Sequence, residues 1–126
     1  MIQGKYVDGF VLVVPKDKRA EYRKMAAMGK KMWMKCGALD YKECVGDDLN
    51  IKPQGGMKAL SFTKMAKSKP TEEVWFSFII YKSKKHRDEV NARVMKAMME
   101  DPKSKNMTMP FDMKKMAYGG FRAIVA

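Results

Sequence analysis

Two residues of this 126-residue chain place a titratable side chain where it could transfer protons: His86 and Asp8. His86 is the only histidine, and it lies between an apolar run, Val74 to Tyr81, and a helix-forming segment. A helix N-terminus and the adjacent cations Lys85 and Arg87 disfavour the charged imidazole, so a neutral ring could act as a base near pH 7. The alternative is an exposed histidine in a polar first turn.

Asp8 is a single carboxylate inside an otherwise apolar strand. A carboxylate buried there must be paired or protonated, which leaves two interpretations. One is a structural ion pair with Arg87, Arg122 or a lysine, and the other is catalysis. For a small-molecule site we expect ligand contacts from five further residues: Arg87, Asn91, Tyr41, Tyr118 and Trp33. For Trp33 we favour a core position over a ligand contact, since it lies on an apolar helix stripe near the helix end.

The sequence predicts neither a metal site nor a cofactor. Asp47, Asp48 and Asp112 lie in turn segments, where carboxylates usually cap helices or form turns. Cys36 and Cys44 have no second cysteine pair or nearby histidine to complete four zinc ligands. We therefore expect two reduced, partly buried thiols.

Four strands and two long helices are predicted to position these side chains. Ser83 is a good N-cap for the second helix, which Asp101 and Pro102 end. Gly119 and Gly120 predict a bulge or a close backbone approach in the last strand, and we favour the bulge. The irregular stretch from Asp47 to Thr71 suits a lid or a dimer contact. The strands are Lys5–Val14, Ala38–Val45, Val74–Tyr81 and Ala117–Val125, and the first helix is Asp17–Lys35.

This order of elements predicts an α+β fold, a ferredoxin-like βαββαβ sandwich with an antiparallel sheet, in one domain over residues 1–126. The first and third strands are apolar on both faces, and this topology places those two at the centre. Two helices cover only one face of the sheet. We therefore expect a homodimer in which the open faces of two sheets pack together.

The formal charge of +12 would suit an anionic partner such as nucleic acid. The lysines are spread over helix faces and loops, however, and no phosphate-binding glycine loop or aromatic ribonucleoprotein motif accompanies them. Nucleic-acid binding is therefore the weakest of the functional hypotheses. No apolar run is long enough for a membrane span and no signal-peptide pattern is evident, so we expect a cytoplasmic protein without membrane contact.

Four segments carry a resemblance to a known family: KYVDGFVLVVPKDKRAEYRKMA, WMKCGALDYKECVGDDL, FSFIIYKSKKHRDEVNARVM and MPFDMKKMAYGGF. Together they resemble the YbaA-like family of uncharacterised bacterial proteins within the dimeric α/β-barrel superfamily. The resemblance implies a ferredoxin-like protomer, a barrel-like dimer and a cavity between sheet and helices, but no reaction.

Some members of that superfamily are small monooxygenases, including haem-degrading enzymes. Asp8, Trp75 and His86 occupy element positions loosely similar to those of the functional residues there. One hypothesis is therefore a cofactor-independent oxygenase, or a related enzyme, acting on a small aromatic or quinone-like substrate. The alternative is a non-catalytic dimeric module that binds a small ligand.

Overall fold

The computed structural model describes residues 4–52, 55–56, 59–101 and 108–126. Two short 3-10 helices, Lys16–Lys18 and Met113–Lys115, precede the first long helix and the last strand. Among the described helices, none combines the length and the apolar character that crossing a membrane requires. The strands are β1 (Tyr6–Pro15), β2 (Asp40–Val45), β3 (Glu72–Tyr81) and β4 (Ala117–Arg122), and the helices are α1 (Arg19–Lys35), α2 (Phe62–Met65) and α3 (Lys84–Glu100).

The four strands form an open antiparallel sheet in the order β2-β3-β1-β4. The two strands with apolar residues on both faces, β1 and β3, are the central pair, as the sequence predicts. This α+β arrangement is compatible with a ferredoxin-like fold. The sheet is not closed into a barrel by this chain alone.

Both long helices pack against the same face of the sheet. Tyr22 and Ala26 of α1 form one buried cluster with Leu12, Val14 and Trp75. Val90 and Val94 of α3 contribute to a second cluster, which contains Ala38, Tyr41, Ile79 and Tyr81. We call this side of the sheet the helix face and the other side the open face. Trp75, which is 6% exposed, belongs to the helix face.

Local signals set the helix ends. The Ser83 hydroxyl accepts a hydrogen bond from the backbone N–H of His86 and caps α3, as predicted. Gly37 follows α1 with φ +115°, a conformation that favours glycine. In the irregular stretch from Asp47 to Thr71, the described residues include one helical turn, α2, with Ser61 as its N-cap.

The predicted bulge at Gly119 and Gly120 is wrong. The pairing of β4 with β1 is unbroken there, with Gly119 opposite Gly9 and Gly120 opposite Asp8. Gly120 is instead required by a close approach, because a Cβ at this position would overlap the Tyr6 phenol. Paired glycines satisfy either geometry, and only the position of Tyr6 distinguishes them.

Candidate functional site

Asp8 and Arg87 form an ion pair between the centre of the sheet and the first turns of α3. Arg87 Nη1 lies 2.8 Å from Asp8 Oδ1; the Arg87 side chain is 20% exposed and the Asp8 side chain 10%. Arg87 Nε also donates to Asp88 Oδ1 at 2.7 Å, and its guanidinium lies 5.1 Å from the centre of the Tyr6 ring. Of the partners that the sequence suggested for Asp8, the structure therefore selects Arg87.

Burial raises the pKa of the Asp8 carboxyl above its ordinary value, although Arg87 acts in the opposite direction. Desolvation penalises the charged carboxylate and here outweighs the nearby cation. Asp88 raises the pKa further, whereas the Tyr81 hydroxyl lowers it. Asp8 is therefore an acid whose proton is held more tightly than usual, beside a cation that can stabilise a second negative charge.

His86 lies in the first turn of α3, half buried, with its ring 6.0 Å from that of Tyr81 in an edge-on arrangement. The backbone N–H of Lys82 donates to His86 Nδ1 at 3.0 Å. A ring nitrogen that accepts a hydrogen bond is unprotonated, so the neutral ring carries its proton on Nε2. The geometry thus makes Nε2–H of His86 a donor and leaves its basic nitrogen occupied by the backbone.

Asn91 connects the two long helices with the sheet. Its Oδ1 accepts from Trp33 Nε1 at 3.2 Å and from the Tyr81 hydroxyl at 3.4 Å. Burial, followed by the charge of Asp8, raises the pKa of Tyr81, so the phenol stays protonated and acts as a donor. Asn91, Trp33, Tyr81 and Asp8 therefore form a polar cluster within the helix face.

A second polar cluster, which was not predicted as a site, lies nearer the β2 edge. Glu43 accepts hydrogen bonds from the hydroxyls of Tyr22 and Tyr41, each at 2.7 Å. Burial raises the pKa of both phenols, and Glu43 raises it further, so they remain donors. The available signal was that Glu43 interrupts the apolar side of its strand. Its two partners are not recognisable from spacing.

Tyr41 and Trp33 bring the two clusters together, since their ring centres are 6.1 Å apart. Tyr118 lies apart from both: it is 72% exposed on β4 and stacks on Phe10 at 5.8 Å. Within the described part of the chain, no three histidine, cysteine or carboxylate side chains are grouped as metal ligands would be.

Two cavities open on the surface of the described residues. The larger, about 680 Å³, lies beside the β1–α1 junction and the segments on either side of α2. The smaller, about 530 Å³, lies between α1 and the edge strand β2. Neither of these two is lined by His86 or Asp8, so the expected cavity beside His86 remains a prediction.

Comparison with known sequences shows which family the chain belongs to. Residues 5–113 match the family model described as a protein of unknown function, DUF1428. The chain belongs to that family. It is 45% identical over 123 residues to the uncharacterised protein YbaA of Escherichia coli K12, covering 96% of this chain and 97% of the relative. The YbaA protein of Shigella flexneri matches to the same extent. The predicted resemblance is thus confirmed, and the relatives carry no assigned reaction.

Proposed function

We propose that this protein is a small-substrate enzyme in which Asp8 accepts a proton from an aromatic hydroxyl compound without the help of a cofactor. The observation that carries the proposal is the Asp8–Arg87 pair, a buried carboxylate whose pKa is raised although a cation lies 2.8 Å away. A base poised closer to neutral pH than ordinary aspartate is what proton abstraction requires.

The neighbouring groups supply the other functions of such a site. Arg87 stabilises the phenolate that remains when the proton moves to Asp8 Oδ. Nε2–H of His86 and the amide of Asn91 are available to orient the substrate. The phenolate of a quinol is electron-rich and reacts directly with O₂. In that reaction the quinol loses two electrons and two protons to become a quinone, and O₂ becomes hydrogen peroxide.

We also propose that the active form is a homodimer that joins two open faces. Phe76 and Phe121 on this face are 45% and 64% exposed. Val7, Val11, Phe78 and Ile80 are half buried beside them. Covering these side chains from both protomers would contribute on the order of 10 kcal/mol, comparable with the cost of association. Sedimentation at micromolar concentration should show a dimer, and a monomer there would contradict this part of the proposal.

We propose a cytoplasmic location, which suits the two free thiols; Cys36 is partly buried as predicted, whereas Cys44 is exposed, contrary to the prediction. A reducing compartment would keep both thiols free. The charge of +12 supports no nucleic-acid function on its own, since the described cations are distributed over several elements.

A non-catalytic ligand-binding module is the competing function, and one observation favours it. The Asp8 carboxylate and the Asn91 carbonyl oxygen already have partners within the protein. Polar networks that are satisfied in this way rigidify a core without doing chemistry. The two functions differ in whether turnover depends on Asp8.

The test uses 1,4-dihydroxynaphthalene as the probe, with oxygen uptake measured against a protein-free baseline. Asp8→Asn removes the base, whereas Asp88→Asn removes the exposed carboxylate that contacts the same arginine and serves as the matched control. Binding is followed separately by quenching of tryptophan fluorescence. The proposal expects uptake by the native protein and by Asp88→Asn, with loss of at least about tenfold in Asp8→Asn and retention of quenching.

Quenching without oxygen uptake by the native protein would favour the binding module and overturn the enzymatic proposal. Uptake that is equal in Asp8→Asn and the native protein would remove Asp8 from the reaction. Circular dichroism of each variant establishes that the fold is kept.

A further inference from the structure

The cavity between α1 and β2 has a polar floor and a cationic rim that the proposed reaction does not use. Its volume is about 530 Å³, within the range of small-molecule sites. Ala26 and Ala27 of α1 line it with the smallest side chains that a helix favours, which leaves the space open. The lining also includes Tyr41, Glu43 and Trp75 from the sheet.

The floor presents one fixed acceptor. Glu43 is held by the hydroxyls of Tyr22 and Tyr41, one on each carboxylate oxygen at 2.7 Å. Each oxygen retains a second lone pair for a ligand donor. The two phenols therefore orient Glu43 and reduce its conformational freedom before any ligand binds.

The side chain of Trp75 forms another part of the floor. Trp75 is 6% exposed, and its indole N–H has no hydrogen-bond partner among the described residues. It contributes to lowering the pKa of Glu73, but it does so without a bond of ordinary geometry. The indole nitrogen is buried, so Trp75 offers a ligand in the cavity its ring and not its N–H. Glu43 and Trp75 lie on adjacent strands with their side chains on the same face.

The rim is positively charged. Arg23 and Lys30 lie two turns apart on α1, and Lys42 lies across from them on β2. Lys42 pairs with Asp40 at 3.2 Å, whereas Arg23 and Lys30 form no ion pair with any described residue. Two uncommitted cations at the mouth of a cavity favour an anionic group on the ligand.

We infer that this cavity binds a small aromatic hydroxy acid, with its hydroxyl on the floor and its carboxylate at the rim. The ligand hydroxyl can donate to a free lone pair of the Glu43 carboxylate. The flat ring lies beside the Trp75 and Tyr41 side chains. The ligand carboxylate lies at the rim and pairs with Arg23 and Lys30.

This site is separate from the Asp8–Arg87 pair, and the two tryptophans of the chain distinguish them. Trp33 Nε1 donates to Asn91 in the Asp8 cluster, whereas Trp75 lines the α1–β2 cavity. The ¹⁵N spectrum of the full chain contains one indole N–H signal for each tryptophan. Trp33→Phe identifies which signal is which.

The experiment titrates 4-hydroxybenzoate into the labelled protein. The expected result is a saturable shift of the Trp75 indole signal that exceeds any shift of the Trp33 signal, since Trp33 reaches the cavity only through Tyr41. Benzoate lacks the hydroxyl and phenol lacks the carboxylate, so each should bind at least about fivefold more weakly. A shift confined to Trp33 would place the ligand at the Asp8 cluster and overturn the inference.

Three variants test the geometry in the same titration. Ala27→Leu should fill the cavity and abolish the Trp75 shift. Arg23→Gln should raise the dissociation constant about threefold to tenfold, whereas Lys35→Gln, on the same helix but outside the cavity, should not change it. Unchanged binding in both Ala27→Leu and Arg23→Gln, or no Trp75 shift by about 10 mM ligand, would refute the site.

Discussion

Replacing Arg87 by methionine tests whether Asp8 depends on its cation. The variant keeps the aliphatic stem of the side chain and removes the guanidinium that lies 2.8 Å from Asp8. Removing one partner of a buried pair costs about 3 to 5 kcal/mol, because the other charge is left uncompensated. Arg87 is 20% exposed, so we take the lower end, about 3 kcal/mol near pH 7.5, with about 0.5 kcal/mol more from the lost contact with Tyr6.

Asp8→Asn should cost less, about 1 kcal/mol, because Arg87 retains Asp88 as a partner and the asparagine oxygen can still accept a hydrogen bond. The double variant Asp8→Asn/Arg87→Met should be more stable than Arg87→Met alone. In the double variant neither member of the pair leaves a buried charge behind. The assay is urea unfolding at one fixed protein concentration, since self-association would add to stability.

The pH dependence of the free energy of unfolding is a second test of the interaction between Asp8 and Arg87. The pKa of Asp8 in the folded protein is above its unfolded-chain value of 3.8, so the folded state gains stability as pH falls through that window. Without Arg87 the folded pKa rises further, because the cation that lowers it is gone. The stability lost in Arg87→Met should therefore shrink between about pH 7.5 and pH 5. An equal loss at both pH values, or a double variant no more stable than Arg87→Met, would refute this explanation.

Four further substitutions have expected outcomes that follow from single contacts. Ser83→Ala removes the N-cap of α3 and should cost about 1 kcal/mol in urea unfolding, whereas Ser83→Asp should restore it. Gly29→Ala improves helix propensity but places a Cβ 2.9 Å from the Tyr41 hydroxyl oxygen, so it should lower the free energy of unfolding. In a Tyr41→Phe background, which lacks that oxygen, the same Gly29→Ala change should raise it. Glu43→Leu leaves two buried phenols without their acceptor and should cost about 2 to 4 kcal/mol, against a smaller loss for Glu43→Gln. Phe76→Asp puts a charge on the open face and should shift sedimentation from dimer to monomer; a dimer that persists would place the interface elsewhere.

Periodicity and capping were enough to predict the architecture. Apolar residues on both faces of β1 and β3 identified them as the central strands, and Ser83 marked the start of α3. These signals act within one segment, where local physics decides the outcome. The family relationship was predicted in the same way, from segments that can be read separately.

The candidate site was less predictable because its contacts join distant parts of the chain. The pairing of Asp8 with Arg87 spans 79 positions, and the Trp33–Asn91 hydrogen bond spans 58. Arg93 shows the same limit: it donates to the Cys36 carbonyl at 2.8 Å at the end of α1, and nothing in its own helix indicates that role. For His86, the sequence indicated the helix start but not that its Nδ1 would accept from the Lys82 backbone.

The distribution of polarity over the two faces of the sheet connects these results. An antiparallel sheet that is covered on one face ordinarily turns its apolar side toward the helices and its polar side toward water. Here Asp8, Glu43 and Ser77 point into the helix face, whereas Phe76 and Phe121 lie on the open face. Within the protomer, Asp8 is paired with Arg87 and Glu43 with two tyrosine hydroxyls, whereas the folding of a single protomer leaves the two phenylalanines exposed, which costs solubility. The proposed homodimer would cover the phenylalanines, and the two proposed ligand sites would give Asp8 and Glu43 a function.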